Sequence, residues 1–164
     1  MPVTGSEWSD EDYSRHALMG RMTEAFNATE FMLHVLVWRA MGSEVEAPIR
    51  HALTERKSAT DLVRDIRRLC DVGAYGSSAS NLKVLLTRFE RLADRRNLYV
   101  HGWWEERSIP GESPRQVVAK LREWIRGGDD VLLPYDSSDL NRLIADLDRI
   151  VDEFMDAFER SFDT

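Results

Sequence analysis

Apolar side chains recur every three or four residues near the end of this chain, at Leu140, Leu143, Ile144, Leu147, Ile150, Val151, Phe154 and Phe158. That period fits one face of an α-helix and no strand, and the other side of the same segment is acidic. A stripe this long has to be covered by other apolar faces of the same chain. Two more are present. One runs through Leu18, Met22, Ala25, Thr29, Met32, Leu36 and Ala40, widened by Phe26, Leu33 and Val37, so the second half of that helix is central. The other runs through Leu82, Leu85, Leu86, Phe89, Ala93 and Val100.

Punctuation sets the boundaries. Ser9 is placed to cap the first helix and Gly42 to end it. A second helical region spans about Pro48 to Cys70 and breaks near "RKSAT", where Ser58 can start a new helix. "DVGAYGSSAS" is a loop, Ser80 opens the next helix, and Gly102 closes it as a residue that tolerates a left-handed backbone. Asp136, Ser137 or Ser138 caps the last helix. "RQVVAKLREWIR" fits an amphipathic helix and also a strand that turns at "GGDD" into "VLLPY"; the strand is preferred here. The expected fold is all-α, an antiparallel bundle of four-helix type with a small antiparallel β element at about 103–135. It forms a single domain over 1–164, with 1–8 a flexible tail.

Composition narrows the function classes. No apolar run approaches the ~20 residues of a membrane helix. The N-terminus, "MPVTGSEWSDEDY", is acidic and polar where a signal peptide is basic and then apolar, so a cytoplasmic protein without membrane contact is expected. Cys70 is the single cysteine and reads as a small core filler. The net charge of −7 is unevenly spread. Residues 1–12 hold four acids and no base, and residues 136–164 hold nine acids and three bases, which leaves 13–135 at +3. The arginines there gather in "RDIRRL" (64–69) and "RFERLADRR" (88–96); a local basic face can bind phosphate on an acidic protein, but a solvated helix face is the preferred reading of each run.

The chemistry concentrates in "DRRNLYVHGWW" (94–104). On a continuous helix Arg96 and His101 lie about 140° apart, so they share a face only if the helix unwinds between them. Asn97 and His101, four apart, do share one, on a polar line Glu90, Asp94, Asn97, His101 opposite the apolar stripe. Arg96 falls on the core side, seven residues after Phe89, and a charge there needs a partner. Glu30 stands on a polar line of the first helix with Thr23, Asn27 and His34, and is expected to pair with Arg96. A histidine at a helix C-terminus is favoured in its protonated form by the helix dipole. With an arginine nearby, such a site moves a proton and holds an anion. Metal-independent RNA cleavage through the substrate's 2′-hydroxyl needs those two capacities. One arginine and one histidine make half a site, and a two-fold axis would supply the other half.

The string "RNLYVH", Arg96-Asn97-x-x-x-His101, resembles the Arg-x4-6-His motif of the HEPN superfamily. "FNATEFMLHVLVWRAMG" is similar, more weakly, to first helices of HEPN families that carry an inward glutamate. The resemblance implies a helical bundle acting as a metal-independent endoribonuclease of a toxin–antitoxin, phage-defence or related system. It implies a homodimer joined through the 96–101 region, with RNA as substrate and an antitoxin or regulatory protein as a possible partner. Carried onto this chain, it makes Arg96, Asn97 and His101 the catalytic candidates and Glu30 a support; Trp103 and Arg95 are candidate RNA contacts. In the antitoxin-paired branch a tyrosine stands two residues after the histidine, where this chain has Trp103, and that departure speaks against assignment to that branch. The alternative is a catalytically silent dimerisation or partner-binding module of the same fold.

Other constellations carry less. Asp146, Asp148, Asp152, Glu153 and Asp156 spread over a solvated helix face rather than forming a cation site. His16 and His51 have no ligand-spaced partner, and His34 reads as a hydrogen-bonded histidine near the core. Trp103 and Trp104 either stack bases or pack beneath the β element. There is no phosphate-cradling Gly-rich loop and no Walker lysine, and neither a cofactor nor a metal is expected.

Overall fold

A computed structural model describes residues 10–107, 115–119, 133–134 and 136–161. These residues are mostly helical, with five α-helices among them. They are α1 (Asp10–Ala40), α2 (Ala47–Thr54), α3 (Ala59–Asp71), α4 (Ala79–His101) and α5 (Ser137–Arg160), with a 3-10 turn at Gly76–Ser78 before α4. No described helix is long and apolar enough to cross a membrane.

Local chemistry explains most of the boundaries. Ser58 forms a full capping box at α3: its Oγ accepts from the Asp61 backbone N–H (3.2 Å), and its own N–H donates to the Asp61 carboxylate (3.3 Å). Asp136 caps α5 by accepting from the Ser138 N–H at 2.8 Å. After α1, Gly42 takes φ +80°, a left-handed turn that a Cβ would strain. Two expected boundaries differ. α4 opens at Ala79, with Ser78 before it making no side-chain cap, so Ser80 lies inside the helix. Gly102 is extended (φ −74°, ψ 159°), because the chain leaves α4 straight into a strand rather than through a left-handed turn. Ser9 and the tail 1–8 lie outside the described residues.

The expected stripes make the core. Met22, Leu33, Leu36, Leu82, Leu86, Phe89, Leu140, Leu143, Leu147, Ile150 and Phe154 are buried to 1% exposure or less. Burying one such side chain contributes roughly 1.5–3 kcal/mol. α1 packs on α5, α3 and α4, and α4 packs on α5 and α3, so α1 is central. Thr29, buried in that centre, returns its hydroxyl to the Ala25 carbonyl (2.9 Å). Tyr75, from the loop before α4, is buried too and donates its hydroxyl to the Leu36 carbonyl at 3.0 Å. Burial pushes the Tyr75 phenol well above its ordinary range. Cys70 is a buried part of the core, as expected, and burial raises its thiol pKa.

Beyond α4, strands β1 (Trp103–Arg107), β2 (Arg115–Ala119) and β3 (Leu133–Pro134) pair antiparallel in that order, with Trp103 opposite Ala119 and Val118 opposite Leu133. Residues 108–114, 120–132 and 135, which hold the end of "RQVVAKLREWIR", the "GGDD" turn and most of "VLLPY", lie outside the described residues.

Candidate functional site

α4 runs unbroken as α-helix to His101. Arg96 and His101 therefore stay about 140° apart around one axis, and a single chain does not bring both groups to one face. His101 is the last helical residue and is exposed, as are Asn97 one turn back and Asp94 before it. Glu90, the first member of that polar line, is held by a two-pronged Arg67 contact at 2.8 and 2.7 Å.

Arg96 is half-buried. Its Nη1 donates to the Asn97 side-chain oxygen at 3.1 Å, and its guanidinium carbon stands 4.7 Å from the centroid of the Phe26 ring on α1. Phe26 in turn stacks on Phe89 at 5.6 Å. The expected ion pair with Glu30 is not made. Among the described residues no carboxylate oxygen lies within salt-bridge distance of Arg96, and the charge is met by an aromatic face instead. Arg96 Nε is buried without a hydrogen-bond partner. Glu30 is half-buried on α1, where its charge acts on His34.

Several arginines of the two runs are paired with carboxylates. Arg67 binds Glu90, Arg88 clasps Glu153 with contacts of 2.8 and 2.6 Å, and Arg64 pairs with Asp61. The Arg67 and Arg88 pairs join neighbouring helices, and the Arg64 pair lies within α3. Arg91 and Arg95 remain exposed on α4. The side chain of Trp103 lies outside the described part. Trp104 is half-buried, packs against the core and donates its indole N–H to the Tyr99 carbonyl at 3.0 Å, with the Arg15 guanidinium 5.6 Å from its ring. Of the two roles considered for Trp104, packing is the one described. Among the described residues, no three His, Cys, Asp or Glu side chains are grouped so as to hold a metal ion.

A second cluster joins residues that the linear sequence keeps apart. Phe31, His34 and Trp38 on α1 meet His51 and Thr54 on α2 and Glu55 just beyond it, around a cavity of about 360 Å³. The Trp38 indole N–H donates to the Thr54 hydroxyl at 2.7 Å, which donates onward to the Arg50 carbonyl at 3.0 Å. The Trp38 ring lies 6.0 Å from Phe31, 5.8 Å from His34 and 6.2 Å from His51. His34 is near the core as expected, but its Nδ1 is buried with no partner rather than hydrogen-bonded. Burial depresses its pKa, against the opposing charge of Glu30 and together with His51. The signal available in sequence was the His34–Trp38 spacing of four, which puts both rings on one face of α1.

Comparison of the chain with protein-family models, with curated proteins and with solved structures gives no match.

Proposed function

We propose that this chain is a HEPN-like antiparallel helical bundle with a small β element, acting as a homodimeric, metal-independent endoribonuclease. The observation that carries the reading is the arrangement at the end of α4. An exposed His101 closes the helix, Asn97 lies one turn back on the same face, and the Asn97 amide is tied at 3.1 Å to the guanidinium of Arg96. Because the helix is continuous, one chain offers a proton-transfer group without an arginine on the same face. A second chain placed with its own α4 end opposite would bring arginine and histidine to bear on one phosphate from two sides. His101 would take the proton of the substrate's 2′-hydroxyl as that oxygen attacks the adjacent phosphorus. The P–O5′ bond breaks, the 5′-oxygen leaves with a proton given by the protonated histidine of the second chain, and Arg96 and Arg95 offset the extra charge on the phosphorane. The products are a 2′,3′-cyclic phosphate and a 5′-hydroxyl. A defence or toxin role, an antitoxin or regulatory partner, and a cytoplasmic setting belong to the same proposal.

One observation favours the silent module. The Arg96 guanidinium rests on Phe26 with its Nε buried, which is how a structural arginine sits. The test is cleavage of generic RNA in EDTA by the wild-type chain and by His101→Ala, with the 3′ ends of the products analysed. Cyclic-phosphate ends that vanish in the variant support the enzyme. Cleavage unchanged in the variant, or products ending in a 3′-hydroxyl, sink it.

A further inference from the structure

The α1–α2 cluster has the make-up of a small binding site, and nothing in the proposed ribonuclease chemistry uses it. Its walls are rings. Phe31 meets Trp38 at an interplanar angle of 84°, so the two make a corner, and His34 and His51 flank the same indole. The corner is built to hold its shape, because the Trp38 indole N–H is fixed on the buried Thr54. Phe31 is nevertheless 56% exposed, a large apolar surface left facing solvent beside a cavity of about 360 Å³. That volume lies at the small end of ligand pockets.

Among the described residues that line the cavity, Glu55 is the one carboxylate and there is no lysine or arginine. Glu30 adds a second carboxylate acting on His34. Glu55 is itself approached by the almost fully exposed Arg56 at 3.9 Å and by His51, which also lines the cavity, at 3.4 Å. Protonation of His34 is disfavoured for a geometric reason. Its Nδ1 is sealed without an acceptor, so the protonated ring would strand a charged N–H in the interior. A neutral imidazole leaves the ring faces as the site's electron-rich surface.

We infer that this cavity binds a small organic ammonium ion, held by the Trp38 and Phe31 rings and balanced by the Glu55 carboxylate. Ring faces attract a cation through their quadrupole, and alkylated ammonium ions, being weakly hydrated, gain most from such a cage. The base of a nucleotide would also stack on these rings, but its phosphate would approach Glu55 with no lysine or arginine among the described lining residues to receive it. The inference does not depend on RNA cleavage by the α4 end.

Choline and its uncharged isostere 3,3-dimethylbutan-1-ol separate charge from shape. The readout is the indole N–H resonance of Trp38, assigned from its loss in Trp38→Phe. Choline is expected to move that resonance saturably, and the neutral isostere to bind roughly tenfold more weakly. Phe31→Ala and Glu55→Gln, both at partly exposed positions, should each weaken choline while leaving the other indole resonances in place. Equal binding of the two probes, no saturable shift with choline, or full choline binding by both variants would overturn the inference.

Discussion

The end of α4 and the cavity between α1 and α2 are built on opposite plans. At the end of α4 the polar groups are neighbours in sequence, and two of the three, Asn97 and His101, are exposed. In the cavity the groups come from two helices and lean on one another: a buried threonine anchors a tryptophan, and a half-buried histidine has one nitrogen sealed. The first plan leaves side chains free to act on something else. The second commits them to one another and shapes a space. Substitutions at His101 and in the cavity should therefore fail in different ways, activity without stability at the first and stability without activity at the second.

The largest effect expected is at His101. If it is the proton-transfer group, His101→Ala should lower RNA cleavage by about 10²–10⁴-fold. Its melting temperature should stay near wild type, because the side chain is exposed at a helix end. A variant that melts many degrees lower would show that His101 holds the fold, and the contrast between the two regions would collapse.

Thr54→Val gives the opposite pattern. It removes the acceptor of the Trp38 indole N–H and puts a methyl in its place, leaving that donor without its partner. The expected loss is about 1–3 kcal/mol by chemical denaturation. Cleavage at a temperature where the variant is folded should not change. Loss of cleavage in a folded Thr54→Val would mean that the two regions are coupled.

Arg96 tests how far sequence reasoning reaches. The helical period put it on the core side of α4, and it is half-buried there. The same period selected Glu30 as its partner, and that choice failed because phase names a face without naming what lies across from it. The guanidinium meets the Phe26 ring, a residue read only as part of an apolar stripe. Repeating patterns within one segment are legible: the stripes of α1, α4 and α5, a cap at Ser58 and a cap somewhere in 136–138, which the structure assigns to Asp136. What stayed hidden was set between segments. His51 has no partner at ligand spacing in the sequence, yet it shares the Trp38 ring with His34 across two helices. The Arg64, Arg67 and Arg88 side chains read as parts of solvated helix faces, yet carboxylates from their own and neighbouring helices take them up. Since Arg96 rests on Phe26, Arg96→Ala should cost about 0.5–2 kcal/mol. Glu30→Ala should cost less, and the double variant should be additive within about 0.5 kcal/mol. A coupling energy of several kcal/mol between Glu30 and Arg96 would restore the ion pair.

The smallest effect is a slope. Burial first, and His51 with it, holds the His34 pKa below its ordinary value, against the opposing pull of Glu30. The unfolded chain takes up a proton on His34 near the ordinary imidazole value of about 6.5, while the folded chain resists until the pH is lower. In that window the unfolded state carries more protons, so stability rises with pH through it. The contribution is complete above the unfolded value, shrinks as the pH falls towards the folded value, and is constant below both. Denaturation midpoints measured between about pH 7.5 and pH 5.5 should therefore drop for the wild type more than for His34→Gln, which cannot titrate. Glu30→Gln removes the charge that favours protonated His34, so it should make the drop steeper. A His34→Gln variant whose midpoint falls as much as the wild type's would mean that the acid sensitivity arises elsewhere. The sealed Nδ1 would then carry no energetic consequence for folding.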